Sequence, residues 1–417
     1  MSRLHDLLVA NDKKKIFKFN SNAAIGYPSG LLPLDFQNGY TVIVNNKKDP
    51  KKIPNEWNNI GIQGGTFCTI IGNTGTGKTA LAIKIGSAMV RNFDQGDVYH
   101  IDAEGNSNET WIRQLNGYTP EEYEDKYHLL DEQYVDKLFT QVVQMCEMKI
   151  NDKACYYDTG RYSERGEKII TPQPTVIIID SLPSLQTTEV EDNTKLDTQT
   201  YNMRLAKAYG EFYKRLRPMI QKANITIIAI NHIKEKPQMG FLTTQAKIQG
   251  CSPNESIPGG TGPLYYAQTL LRLKYRGKYT MEKHNFNGFL VEVEFLKSKT
   301  NASHHKVEIV FNERHGFDSW LTLLHLANNI GVVKGRNPYS YFDSDPELKF
   351  NSKEFNTLIE DNEKLRAALF NSLSPYFISM LKGNKPSKEI DNTELTNKLM
   401  NLDYSNNNFD NVVLEGE

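Results

Sequence analysis

Cysteine is sparse, and the four that occur (Cys68, Cys146, Cys155 and Cys251) stand far apart. No pair has the short spacing of a zinc site, and the scatter gives no disulfide framework. A reducing cytosol is the expected compartment. Missing too is any apolar run long enough to span a bilayer. The opening residues Met1-Ser2-Arg3-Leu4-His5-Asp6 lack the apolar core of a secretory signal, so no membrane partner is expected. Net charge is nearly absent, at −1. No global basic field marks a nucleic-acid partner, so any such binding has to come from local loops. No internal repeat occurs. What remains is an ordinary globular composition, 39% hydrophobic and 24% charged. Its 417 residues leave room for two or three domains.

The chain turns on Gly72-Asn73-Thr74-Gly75-Thr76-Gly77-Lys78-Thr79, which reads G-x-x-x-x-G-K-[ST]. An apolar β-rich segment, Thr66 to Ile71, precedes it, and a segment of helical character, Ala80 to Gly86, follows. That is the strand–loop–helix setting of a phosphate-gripping loop. Glycines let backbone N–H groups turn inward, and the helix start adds its positive dipole end. Lys78 is expected to meet the β- and γ-phosphates of ATP, and the Thr79 hydroxyl to ligate Mg²⁺.

Around the loop, strands alternate with helices. Asp97 to Glu104 reads as a second buried strand ending in carboxylates, Thr175 to Ser181 as a third, and Ile225 to Ile230 as another, after a long helix over 198–223. Uniformly apolar strands alternating with helices predict an α/β fold with a mostly parallel central sheet. Residues 121–149 read as helical, 45–59 as a polar surface loop, and 150–174 as an inserted loop or hairpin. Leu270 to Tyr275, Phe289 to Leu296 and Lys306 to Phe311 alternate like later, more exposed strands. From Gly316 the pattern turns helical through Trp320 to Leu326, and 353–383 is helical too. The tail 401–417 is rich in Asn, Asp and Glu and reads as disordered. At the start, 2–10 reads as a short helix, and Lys13 to Phe19 alternates like a strand. That strand is either a surface strand at a frayed end or an oligomerisation arm that adds to a neighbour's sheet through Phe17 and Phe19. The expected division is an arm over 1–30, an ATPase core over 31–315 and a smaller α-rich C-terminal domain over 316–417.

Several residues carry chemistry on their own showing. Asp180 ends an apolar strand, where an acid can hold Mg²⁺ through water. Glu104 ends the strand after the loop's helix. Carboxyl ends of adjacent parallel strands line one crevice, so Glu104 is placed to orient a water attacking the γ-phosphate. Alternation sends Asp102 to the other face. Asn231-His232 ends the next strand, directly before the long polar stretch 233–260, and His232 suits a γ-phosphate sensor that moves that stretch. Lys297 and Lys299 close a late strand and point the same way; taken alone they read as a solvated basic edge.

The order of parts is recognisable. The phosphate loop is followed by Ile101-Asp102-Ala103-Glu104, Ile177 to Ser181, Ile230-Asn231-His232, Gly259-Gly260-Thr261-Gly262-Pro263 and Lys297-Ser298-Lys299. This succession resembles the RecA-type recombinases, most closely their phage UvsX branch, over roughly residues 28–335. The resemblance implies a RecA-like P-loop ATPase core, with Glu104 as the catalytic carboxylate. Trp111 falls where the family stacks an aromatic on adenine, and a core tryptophan is the alternative there. Lys297 and Lys299 would reach a neighbour's ATP across a subunit boundary, like arginine fingers. Residues 186–197 and 233–260 would hold single-stranded DNA. The second stretch offers Lys234, Lys236 and Lys247, with Met239 and Phe241 as wedges between bases, and closes on Gly259 and Gly260. The first is acidic (Glu189, Glu191, Asp192), which leaves backbone amides for phosphate contact.

The implied activity is DNA-stimulated ATP hydrolysis in a helical filament that pairs single-stranded with duplex DNA for strand exchange, recombination and repair. Single-strand-binding and mediator proteins are the further implied partners, in the cytoplasm of a bacterial host if the chain is phage-encoded. Two other functions fit the same core: a ring helicase, and a non-hydrolysing loading factor assembled by ATP. About seventy residues precede the loop, fewer than a helicase's leading domain needs. Glu104 speaks for hydrolysis. The sequence departs from the family in three ways. Bacterial members usually carry Gln where His232 stands, the stretches 45–59 and 150–174 are extra, and little matches beyond Gly316-Phe317-Asp318.

Overall fold

Three apolar segments that each follow or lead a helix lie side by side in the computed structural model, each buried along nearly its whole length. The structure describes residues 25–44, 56–188, 198–235, 251–252, 254–281, 286–336, 338–381 and 393–401. In chain order, β1 (Phe67–Gly72) leads through the phosphate loop into α1 (Lys78–Val90). Then come β2 (Asp97–Asp102), α2 (Glu109–Asn116), β3 (Tyr127–Leu130), α3 (Val135–Asn151), β4 (Thr175–Asp180), α4 (Thr198–Ala223) and β5 (Ile225–His232). Four further strands, β6 (Thr269–Met281), β7 (Phe286–Ser298), β8 (Lys306–Asn312) and β9 (Gly316–Asp318), precede α5 (Ser319–Asn329). The nine strands form one sheet in the order β9-β8-β7-β6-β1-β5-β4-β2-β3.

From β6 to β3 every pairing is parallel, and beyond β6 the sheet turns antiparallel. Parallel strands need both faces covered. Ile178, Ile228 and Ile70 face α1, whereas Ile177, Ile179 and Ile227 face α3 and α4. Each such side chain contributes about 1.5–3 kcal/mol by leaving water. Every residue of α1 except Thr79 is buried, so its hydrophobic pattern is all-round rather than one-sided.

The antiparallel turn has a directional consequence. Lys297 on β7 pairs with Leu270 on β6, which pairs with Thr69 on β1; Gly72, at the phosphate loop, is level with Leu273. The Lys297–Lys299 end of β7 therefore lies at the rim of the sheet away from its own loop, about 10 Å back along the strands and two strands to the side.

Several local expectations are corrected. Residues 121–149 are not one helical stretch. A capping box between Thr119 and Glu122 starts a helix at Pro120 that ends at Lys126, and β3 then intervenes before α3. Burial of Tyr127, whose hydroxyl lies 3.0 Å from His100 Nδ1, favours the sheet edge over a continued helix. The 45–59 stretch is not all loop either. Glu56–Asn59 pairs with Tyr40–Ile43, and Trp57 is buried with its Nε1 donating to Tyr162 O at 2.8 Å. The 150–174 stretch takes its hairpin form, Tyr156–Tyr162 against Lys168–Pro172. The two hairpins share a small core of Val42, Val44, Trp57 and Ile169. Beyond α5, three short strands over 333–350 form an antiparallel sheet the pattern did not announce. They join the helices Phe355–Asp361 and Glu363–Met380 around a second core of Trp320, Phe342, Phe355 and Phe377. Helix Leu32–Gln37 gives Leu32 and Phe36 to that core, with Phe36 stacked on Phe377 at 4.7 Å. The arm with Phe17 and Phe19, residues 45–55 and 189–197, and the tail 402–417 lie outside the described residues.

Candidate functional site

Gly75 and Gly77 take φ of 78° and 81°, the left-handed region where a side chain would be strained. At Gly77 a Cβ would also meet the Phe317 ring at 3.0 Å. These two glycines shape the loop and let α1 start at Lys78. Gly72 ends β1, Asn73 and Thr74 are exposed, and Thr76 donates its hydroxyl to Asn73 O at 2.9 Å. Lys78 Nζ donates to the same carbonyl at 2.9 Å. Burial pulls the Lys78 ammonium below its ordinary range, opposed by the charges of Asp180 and Glu104.

Thr79 Oγ1 donates to Asp180 Oδ2 at 2.5 Å, joining the start of α1 to the end of β4. Burial pushes Asp180 up to about 6, with Glu104 and Asp102 adding to it and the Thr79 hydrogen bond and Lys78 opposing. A cation held there would relieve this crowding. Among the described residues no cluster of three or more His, Cys, Asp or Glu side chains could hold a metal by itself. One hydroxyl and one carboxylate suit Mg²⁺, which keeps waters and takes its other ligands from substrate phosphates.

Glu104 stands on the turn after β2. Asp102 builds that turn, accepting Gly105 N at 3.0 Å and Ser107 N at 2.7 Å. Glu104 Oε1 accepts the Ser181 hydroxyl at 2.6 Å and lies 3.3 Å from His232 Nε2. Burial alone would raise this carboxyl, but the hydrogen bonds from Ser181 and His232 and the imidazole's charge outweigh it and hold it below the usual range. Thus β2, β4 and β5 deliver Glu104, Asp180, Ser181 and His232 to one crevice. Thr79, Asp102, Glu104, Ser107, Trp111 and Asp180 line a cleft of about 400 Å³ there. Trp111 both packs partly against the core and lines this cleft. Its helix α2 is capped by Asn108, which accepts Trp111 N at 2.9 Å.

The remaining candidates lie elsewhere. The 233–260 stretch is pinned at its base. Lys234–Glu235 pairs with Glu255–Ser256, Asn231 Nδ2 donates to Pro258 O at 2.9 Å, and Arg272 binds Glu255 at 2.5 Å. Gly259 and Gly260, φ 87° and 74°, press on α4; a Cβ would lie 3.2 Å from Tyr209 and 3.0 Å from Ala206. Lys236, Met239, Phe241 and Lys247 lie outside the described residues. Lys297 Nζ donates to Leu264 O and Tyr265 O at 3.0 and 2.7 Å. Burial, then the charges of Lys299 and Arg217, push it down to about 8. Burial and Arg217 lower Lys299 as well. Reasoning from sequence missed Arg217, one of many exposed cations on α4, and missed Ser181, whose partner is 77 residues away.

A family model described as an AAA domain matches residues 36–238. Over 175 residues the chain is 29% identical to the recombination and repair protein of Enterobacteria phage T4, covering 42% of this chain and 40% of that one. Over 219 residues it is 24% identical to Protein RecA of Ruminococcus albus, covering 51% of each. The chain thus spans about half, or less, of the length of these curated relatives. A crystal structure of the RadB recombinase aligns with TM-score 0.39 and 16% identity, over 61% of this chain and 91% of that one. Among the described residues no helix is long and apolar enough to cross a membrane. The chain has an α/β, phosphate-loop fold and is similar to the RecA-type recombinases, a phage recombination protein among them.

Proposed function

We propose that this protein is a DNA-stimulated ATPase that assembles head to tail on single-stranded DNA and carries out strand exchange. The observation that carries the reading is the placement of its two charge sets. The phosphate loop, Asp180 and Glu104 gather at one rim of the sheet, and Lys297, Lys299 and Arg217 near the other. Among the described residues none of these three cations has a carboxylate partner. Cations kept together without counter-ions are suited to an anion brought by another copy.

In this reading Lys78 and the loop's amides bind the triphosphate, with Trp111 beside the base. Thr79 and Asp180 would hold a Mg²⁺ that came with it, which would supply neutralisation of the phosphate charge. Glu104, held ionised, accepts a proton from the attacking water. Lys297 and Lys299 of the adjoining copy offset the charge that develops as the bond breaks. His232 ties Glu104 to the base of the 233–260 stretch, which with 186–197 holds DNA mainly by its backbone. We assign 1–30 to the assembly arm, 31–315 to the ATPase core and 316–417 to a C-terminal domain, with Gly26–Tyr27 and β9 (Gly316–Asp318) joined to the core by their pairings with Ile62–Gln63 and β8.

The test is the ATP turnover rate with and without single-stranded DNA, imaged in parallel by electron microscopy. Stimulated turnover with extended filaments is expected. Closed rings, or turnover indifferent to DNA, would overturn the reading.

A further inference from the structure

Among the described residues Glu104 is engaged through one oxygen only. Its Oε1 accepts Ser181 Oγ at 2.6 Å and lies 3.5 Å from Ser184 Oγ and 3.3 Å from His232 Nε2. Ser181 and Ser184 are themselves 3.1 Å apart, Oγ to Oγ. Two hydroxyls and an imidazole therefore meet at a single atom from two places in the chain. His232 stands at the base of the 233–260 stretch. The serines open the segment that runs through Thr188 toward the other candidate DNA stretch, 186–197.

That segment is anchored on either side of Ser184. The Tyr209 hydroxyl donates to Leu182 O, Gln186 N to Gln133 O at 2.7 Å, and Thr188 N to Asp136 Oδ2 at 3.1 Å. Ser181 has no exposed surface. Its hydrogen bond to a carboxylate is charge-assisted. Ser184 is different. At 3.5 Å its contact is at the limit of a hydrogen bond, so a small displacement of its turn makes or breaks it.

The geometry points to Ser181 and Ser184 as positioning residues for the Glu104 carboxylate. They pin Oε1, leave Oε2 for the cleft, and make the pose of Glu104 depend on where the 182–188 segment sits. The inference rests on the ATPase reading above and deepens it. Whatever displaces the turn between Leu182 and Thr188 reaches Glu104 through the marginal Ser184 contact, and on the ATPase reading bound single-stranded DNA is that agent.

The experiment compares full-length wild-type protein with Ser181→Ala, Ser181→Cys, Ser184→Ala and Ser184→Thr. Nucleotide affinity, melting temperature and kcat are measured, the last with and without single-stranded DNA. Ser181→Ala is expected to lower kcat about tenfold under both conditions with nucleotide affinity within about twofold, as for loss of one charge-assisted hydrogen bond. Ser184→Ala is expected to lose most of the DNA stimulation, and Ser184→Thr, which keeps the hydroxyl, to recover it. Unchanged kcat in Ser181→Ala, or equal stimulation in wild type and Ser184→Ala, overturns the inference while leaving the ATPase reading intact. Affinity and kcat falling together in Ser181→Ala, with no recovery by threonine at 184, marks a structural defect and also overturns it. Wild-type turnover that ignores DNA overturns the function and the coupling together, and the DNA-free kcat of Ser181→Ala then decides the positioning role.

Discussion

Thr79 Oγ1 and Asp180 Oδ2 lie 2.5 Å apart although 101 residues separate them. The contact closes the crevice between the first turn of α1 and the end of β4, where burial has already pushed the Asp180 carboxyl up to about 6. A site so arranged gains from any cation placed in it, and Lys78 is the cation the chain itself provides.

Replacing Lys78 with alanine removes that charge from the loop. Nucleotide affinity is expected to fall at least about tenfold, or ~1.4 kcal/mol, and turnover to disappear. Titration with a fluorescent nucleotide and a phosphate-release assay measure the two. Retained affinity would show that the loop's amides suffice without Lys78.

Glu104→Gln keeps the size and the Oε1 acceptor but removes the base. Turnover is expected to drop by about 10²–10⁴ while ATP stays bound. The DNA complex should then persist, because release follows hydrolysis. A DNA dissociation rate equal to that of wild type would contradict the role given to Glu104.

A mixing experiment tests the shared site. Lys297→Ala/Lys299→Ala and Glu104→Gln proteins are each expected to be inactive alone. Mixed in equal amounts, roughly a quarter of the junctions between copies combine an intact Glu104 with intact lysines, and turnover should return to that fraction. Silence of the mixture would refute catalysis across a boundary.

His100 gives a prediction about pH. It is fully buried in β2, with its Nε2 unpartnered, and burial lowers it to about 4. For a base whose folded pKa is depressed, the stability contribution is complete above the unfolded value, near 6.5, and is lost as pH falls toward the folded one. Melting temperature should therefore decline between about pH 6.5 and 4, with His100 accounting for up to about 3 kcal/mol. His100→Gln should flatten that decline. An identical pH profile in the variant would remove His100 from the account.

The parallel sheet was legible because its strands are apolar on both faces and each ends in a polar residue that marks the crevice. Asp180 after Ile177-Ile178-Ile179 and the phosphate loop after Ile71 are local signals, complete within eight residues. The strand Tyr127–Leu130 was not legible. It is four residues long, lies at the sheet edge and is flanked by helix formers, so only burial of Tyr127 against His100 decides it. Trp57 was lost in a lysine- and asparagine-rich stretch because the hairpin that covers it is about a hundred residues away. For the site, alternation misplaced Asp102: it lines the same cleft as Thr79, Glu104 and Asp180, because the strand ends there and Asp102 turns to accept Gly105 N and Ser107 N, bonds that shape the turn under Glu104. Ser181 follows a strand as countless serines do, and nothing nearby in sequence points to Glu104.

The reversal of chain direction between β6 and β7 bears on how an assembly ages. It leaves every copy with a nucleotide grip on one flank and completing cations on the other, so on the proposed reading a string of copies always finishes in one grip that no neighbour completes. The molecule at that tip would hold its nucleotide intact while those behind it hydrolyse theirs. One extremity would stay fresh and able to grow, and turnover would begin in the interior.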